Sequence, residues 1–221
     1  MKAVIFDLDG VLIDSMPFYA EAWRKAFELH GLQVGHEEIY HGEGLQRKET
    51  VRRVYRKHRG LEPDDMLIDA IGQAEEAFLQ EIFSLRFMPG ALSLLDELRR
   101  LGRRLALVTG STELAAKFAD QAHILRHFEV IVTGDLTERG KPAPDPYHLA
   151  LQNLALDAEH CCVVENAPLG IQAAKAAGLY CVALRASSPL ARDVLQSAGA
   201  DHVCDDFSAL RTHILDGFRP A

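Results

Sequence analysis

The sequence predicts an α/β fold, a doubly wound, Rossmann-like parallel sheet with a small helical insert. Three features carry that expectation. From Gly90 onward, short apolar runs alternate with amphipathic segments; each run ends in polar or glycine residues; and a long stretch of purely helical patterns separates the first run from the others. Runs that are apolar throughout suit strands covered on both faces. Strand and helix in alternation build a parallel sheet.

The first strand is Ala3-Val4-Ile5-Phe6. The next are Arg104 to Val108, Val130 to Val132, Cys161 to Val164, Tyr180 to Leu184 and His202 to Cys204. Between them, Leu92, Leu95, Leu98 and Leu101 form one helical stripe, Tyr147, Leu151 and Leu154 a second, and Ile171, Ala174 and Ala177 a third that stops at Gly178. From about Ser15 to Met88 only helical spacing appears, with Trp23, Phe27 and His30 on one face and Leu67, Ile71 and Phe78 on another. Gly31, Gly60 and Pro63 punctuate it. The expected division is a core of residues 1–14 and 89–221 and a helical cap of residues 15–88 over the carboxyl edge of the sheet.

The 221 residues suffice for such a core with an insert, and 48% hydrophobic and 25% charged residues are ordinary globular values. A net charge of -8 gives no general attraction for nucleic acid or anionic membrane. No apolar run reaches the length of a membrane span, and the N-terminal run soon meets two carboxylates. A cytoplasmic monomer acting on a small molecule is the expectation. Cys161, Cys162, Cys181 and Cys204 fall in strands and read as reduced core residues; adjacent Cys161 and Cys162 point to opposite faces, a poor arrangement for one metal.

In open parallel sheets, ligands bind beyond the carboxyl ends of the strands. Those ends carry Asp7 and Asp9, Thr109-Gly110-Ser111, Asp135 with nearby Lys141, and Glu165-Asn166. Oxygen ligands suit Mg²⁺, and a lysine with backbone N–H donors suits a phosphoryl group. Asp7 and Asp9 read either as a solvated turn or as a nucleophile and a general acid–base for a two-step transfer through an aspartyl-phosphate. Thr109-Gly110-Ser111 reads as an anion site, as a cap on a helix from Thr112 onward, or as both. Lys141 between Gly140 and Pro142 is a fixed cation or a surface turn residue. Asp145 before Pro146 reads as a helix N-cap. Glu165-Asn166 reads as metal ligands, as their support, or as a capped strand end.

Together these segments resemble the haloacid dehalogenase superfamily, in its β-phosphoglucomutase-like phosphatase branch. Asp7-Leu8-Asp9-Gly10-Val11 resembles its first motif and Leu107 to Ser111 its second. Gly140-Lys141-Pro142 resembles the third and Val163 to Ile171 the fourth. The resemblance implies Asp7 as nucleophile and Mg²⁺ ligand, and Asp9 as general acid–base with its carbonyl on the metal. It implies Thr109, Gly110 and Ser111 on the phosphoryl oxygens, Lys141 as neutralising cation, and Glu165 and Asn166 completing the metal site. Asn166 departs from the usual carboxylate of the fourth motif, so the site loses one negative charge.

Asp9 argues against the dehalogenase branch, which needs no proton on a leaving oxygen. The phosphonate-cleaving branch uses a cap lysine, and no lysine lies between Lys57 and Lys117. The segments Asp14 to Trp23 and Gly44 to Glu49 resemble the sugar-phosphate mutases, in which an arginine matching Arg47 grips the distal phosphate. On its own, Arg47 reads equally as an exposed helix-start charge. The mutases carry a histidine where this chain has Tyr19, and a cap lysine that it lacks. The expected activity is therefore Mg²⁺-dependent hydrolysis of a small phosphorylated metabolite, with sugar phosphomutase as the alternative and a non-catalytic phospho-ligand sensor behind it. Glu43, Arg47, Lys48 and Arg52 are the cap side chains expected to choose the substrate.

Overall fold

A computed structural model describes residues 1–111, 123–186 and 188–217. The helix expected from Thr112 lies outside the described residues. Six parallel strands form one sheet: β1 (Ala3–Phe6), β2 (Arg104–Val108), β3 (Val130–Val132), β4 (Cys161–Glu165), β5 (Tyr180–Leu184) and β6 (His202–Cys204). Their order is β3-β2-β1-β4-β5-β6. Phe6 at the end of β1 pairs with Leu107 on one side and Val164 on the other. The order thus reverses beside β1, and such a switch point opens a crevice at the carboxyl ends of the strands.

Alternate residues of each strand serve opposite faces. Ile5, Ala106, Val108, Cys161 and Val163 pack with Tyr147 and Ile171 on one side. Val4, Phe6, Leu105, Leu107, Cys162 and Val164 pack with Leu94, Leu95 and Leu98 on the other. All four cysteines are buried and free, with Cys161 and Cys162 on different faces. Cover comes from α5 (Ala91–Arg100), α6 (Asp145–Leu154), α7 (Pro168–Ala176), α8 (Arg192–Ser197) and α9 (Phe207–Thr212).

Between β1 and α5 the regular elements are helical: α1 (Met16–Leu29), α2 (His36–Tyr40), α3 (Arg47–Arg59) and α4 (Asp65–Ile82). Helix α1 packs on α2 and α4, and α3 packs on α4. Trp23, Phe27, Val51, Val54, Ile68 and Ile71 supply their shared apolar layer. Asp64 caps α4 by accepting from the Leu67 N–H at 2.8 Å.

Two local readings need correction. The buried face of α5 is Ala91, Leu94, Leu95 and Leu98, while Leu92 and Leu101 are exposed, because a strict three-residue step drifts off a 3.6-residue helix. Asp145 is not the N-cap of α6; Pro144 holds that position, and the Asp145 carboxylate accepts from Arg139 Nε at 3.1 Å instead. No helix among the described residues is long and apolar enough to cross a membrane.

Candidate active site

Strand β1 delivers Asp7 to the switch point, where its N–H donates to the Val164 carbonyl at 3.0 Å. Gly10 then turns the chain with φ +75°, a conformation that L side chains disfavour, and a Cβ there would collide with the Asn166 side chain. The turn separates the two aspartates by environment. Asp7 is buried, and its Oδ1 accepts from Lys141 Nζ at 2.6 Å. Asp9 is half-buried and accepts from three hydroxyls: Ser15 Oγ at 2.7 Å, Ser111 Oγ at 2.9 Å and Thr109 Oγ1 at 3.4 Å.

Lys141 follows Gly140 on the loop before α6 and is itself buried. Besides Asp7, its Nζ reaches Glu165 Oε1 at 2.5 Å and the Val108 carbonyl at 3.4 Å. Burial alone would lower its pKa, but Asp7 and Glu165 outweigh that and hold the ammonium charged. Glu165 has both oxygens engaged, since Oε1 also accepts from Tyr147 Oη at 2.7 Å and Oε2 from the Asn166 N–H at 3.1 Å. The Asp7 carboxyl is pushed up to about 8, first by burial and then by Glu165 and Asp9, against the opposing pull of Lys141.

Asp7, Asp9, Gly110, Ser111, Lys141, Glu165 and Asn166 border a cavity of about 410 Å³, a size suited to a small ligand. Its opposite wall comes from the helical segment, with Tyr19, Trp23, Glu43, Arg47, Lys48 and Glu75. Thr109 sits behind that surface, accepting from the Ser111 N–H at 3.1 Å. Arg47 faces acidic residues on α4, with Nη2 at 3.1 Å from Glu75 Oε2 and Nη1 at 3.0 Å from Glu76 Oε2. Arg52 is held by Glu49 and Asp65.

Sequence reasoning treated Glu43 only as a substrate-selecting cap residue. It is buried against the strand ends, where its Oε1 accepts from Asn166 Nδ2 at 2.6 Å. Burial pushes its carboxyl far above the usual range; the Asn166 bond opposes this, and Asp7, Glu165 and Asp9 add to it. In the sequence Tyr147 stands only in an apolar stripe, Ser15 only within the Asp14 to Trp23 segment with no role of its own, and Glu75 in no motif. Their signal was a polar side chain at a position whose helical period faces the site.

No three His, Cys, Asp or Glu side chains converge on one metal position among the described residues. An oxygen-only donor set is nevertheless present. Asn166 Oδ1 and Glu43 Oε2 are buried without hydrogen-bond partners, close to the Asp7 carboxylate. Hard oxygen donors of this kind fit Mg²⁺, and a divalent cation beside Asp7 would offset the burial that raises its pKa.

Comparison with known proteins shows the family. Residues 1–178 match the family model of haloacid dehalogenase-like hydrolases. The chain is 33% identical to hexitol phosphatase A of Escherichia coli (strain K12), over 86% of each chain. It is 27% identical to a β-phosphoglucomutase of Bacillus subtilis (strain 168), over 97% of this chain and 94% of that one. A solved structure of CbbY from Rhodobacter sphaeroides with xylulose-(1,5)bisphosphate superposes with a TM-score of 0.77 at 27% identity, covering 95% of this chain and 96% of that one. This chain belongs to the haloacid dehalogenase-like hydrolases, in the β-phosphoglucomutase-like branch, and is an enzyme of the phosphoric monoester hydrolase class.

Proposed function

We propose that the enzyme is a Mg²⁺-dependent phosphatase that hydrolyses a small sugar phosphate through an aspartyl-phosphate on Asp7. One observation carries this reading: at the cavity floor, Asp7 is salt-bridged to buried Lys141 while Asp9 stands beside it in a hydroxyl-lined, half-open setting. The names of its relatives support a sugar phosphate as substrate.

In the first step a carboxylate oxygen of Asp7 attacks phosphorus, and the bond to the leaving oxygen breaks as the Asp9 carboxyl gives that oxygen a proton. In the second step Asp9 takes a proton from water, whose oxygen attacks phosphorus and frees Asp7 and inorganic phosphate. Lys141 stays protonated throughout and offsets charge on the phosphoryl oxygens, with the Gly110 N–H as a further donor to them, while the Ser111 N–H is already given to Thr109 Oγ1. Asp7, Asn166 and Glu43 would hold Mg²⁺, with the Asp9 carbonyl, and the bound ion would supply charge neutralisation at the phosphoryl oxygens. On this reading Glu165, with both oxygens occupied, orients Lys141 in place of ligating the metal.

Hydrolysis is favoured over isomerisation because a mutase must shield its aspartyl-phosphate from water. Tyr19 occupies the histidine position of the mutases, and the cap lysine is missing. The test is phosphate release from a panel of sugar phosphates with and without Mg²⁺, beside conversion of β-glucose 1-phosphate to glucose 6-phosphate. Metal-dependent phosphate release without isomerised product supports the proposal. Isomerisation without net release overturns it.

A further inference from the structure

Resting on the phosphatase reading, we infer that Glu75 is a specificity-determining residue: by holding Arg47 it makes the far end of the cavity a site for the hydroxyls of a sugar or sugar-alcohol monophosphate, and excludes a second phosphate. In the mutase-like branch the matching arginine serves a distal phosphate. Here that guanidinium faces two carboxylates, Glu75 at 3.1 Å and Glu76 at 3.0 Å. Arg47 donates a hydrogen bond to Glu76 and is ion-paired with Glu75, so two carboxylates already offset its charge toward an incoming dianion.

The arrangement is built into α4. Gly72 sits in the helix interior, where glycine is destabilising relative to alanine. A Cβ there would lie 3.0 Å from Arg47 Cδ, so the bare backbone makes room for the arginine stem to lie along the helix. Glu75, one turn on, is 1% exposed and borders the cavity. It cannot swing into water if Arg47 leaves. Turning Arg47 toward a second phosphate would strand a buried carboxylate, which is costly. A sugar hydroxyl avoids that cost, because it can donate to Glu75 Oε2, which has no aligned donor of its own. Trp23, also on this wall, offers an apolar face to sugar C–H groups.

The experiment compares kcat/KM for sorbitol 6-phosphate, fructose 1,6-bisphosphate and p-nitrophenyl phosphate in the wild-type enzyme and in the double variant Glu75→Gln/Glu76→Gln. Circular dichroism and thermal melting establish that the variant is folded. The wild type is expected to favour the monophosphate over the bisphosphate by about tenfold or more, the equivalent of one ionic contact. In the variant the ratio is expected to move about tenfold toward the bisphosphate, chiefly through KM. A wild type that prefers the bisphosphate, or a folded variant with an unchanged ratio, overturns the inference while leaving the phosphatase reading intact. No phosphate release from any of the three, p-nitrophenyl phosphate included, overturns both. If the double variant does not fold, the single variant Glu75→Gln carries the same test, and an unchanged ratio in it overturns the inference.

Discussion

Asn166 donates from Nδ2 to Oε1 of Glu43 across 2.6 Å, tying the end of β4 to the loop between α2 and α3. The amide that departs from the usual family carboxylate is therefore matched by a carboxylate from the helical segment. An aspartate at position 166 would set two like charges against each other at this distance, whereas asparagine donates to one oxygen and leaves its own Oδ1 unpaired.

Glu43→Gln is accordingly expected to weaken Mg²⁺ binding by about 10–100-fold, the range typical of lost supporting groups at metal sites. Calorimetric titration of Mg²⁺ into the substrate-free enzyme measures this directly. The metal-free variant should also melt higher than wild type, since it no longer buries a carboxyl among Asp7, Glu165 and Asp9. An unchanged Mg²⁺ affinity would remove Glu43 from the donor set.

Lys141 bridges Asp7 at 2.6 Å and Glu165 at 2.5 Å, with all three side chains buried. Lys141→Met would leave two neighbouring carboxylates without their cation. The expected loss is about 3–5 kcal/mol at neutral pH, as for breaking other buried pairs. Urea denaturation checks it. Without the ammonium the Asp7 carboxyl, already raised by burial, favours protonation still more, so the variant should regain stability as pH falls toward 5.

Much of this was legible in the sequence, and the reasons are local. Five of the six strands begin and end where their apolar runs do, because a strand covered on both faces admits no polar residue inside it; only β4 runs one further, to Glu165. Asp7, Asp9, Lys141 and Asn166 were legible because each stands just past an apolar run or between glycine and proline. The contacts of Glu43, Glu75 and Tyr147 were not, although Glu43 stood among the cap candidates. Their partners lie 123, 28 and 18 residues away along the chain, and only tertiary packing sets those distances. The Asp145 cap misled because Pro144 begins the turn one residue earlier.

Glu75 makes a prediction about pH. Burial pushes its carboxyl up to about 7, with Arg47 opposing and Glu76 reinforcing the shift. A carboxyl whose pKa is raised on folding binds more protons in the native state than in the unfolded chain. Its stabilising share is full below the ordinary carboxylate pKa and is lost as pH rises to about 7. Wild-type stability should therefore fall between about pH 4.5 and 7 more steeply than that of Glu75→Gln, by roughly 1–3 kcal/mol across the window. Thermal melts of the two proteins at half-unit pH steps give the difference. Parallel curves would mean that Arg47 keeps Glu75 ionised throughout.

Asp7 and Asp9 should fail in different ways when each becomes asparagine. Asp7→Asn removes the attacking oxygen, so turnover should vanish on every substrate and no phosphoryl group should attach to the protein. Asp9→Asn leaves the nucleophile and its Lys141 contact in place but removes proton transfer in both steps, which lowers kcat by about 10²–10⁴ on a sugar phosphate. With p-nitrophenyl phosphate the leaving group needs no proton, so Asp7 can still be phosphorylated, while water has no base to activate it. A burst of p-nitrophenol followed by near-arrest is expected, with one phosphoryl group added to the intact mass of Asp9→Asn and none to that of Asp7→Asn. If neither variant gains mass and both lose the burst, Asp9 is needed to form the aspartyl-phosphate even when the leaving group requires no acid, and its role would be to position Ser15 and Ser111 around the entering phosphate.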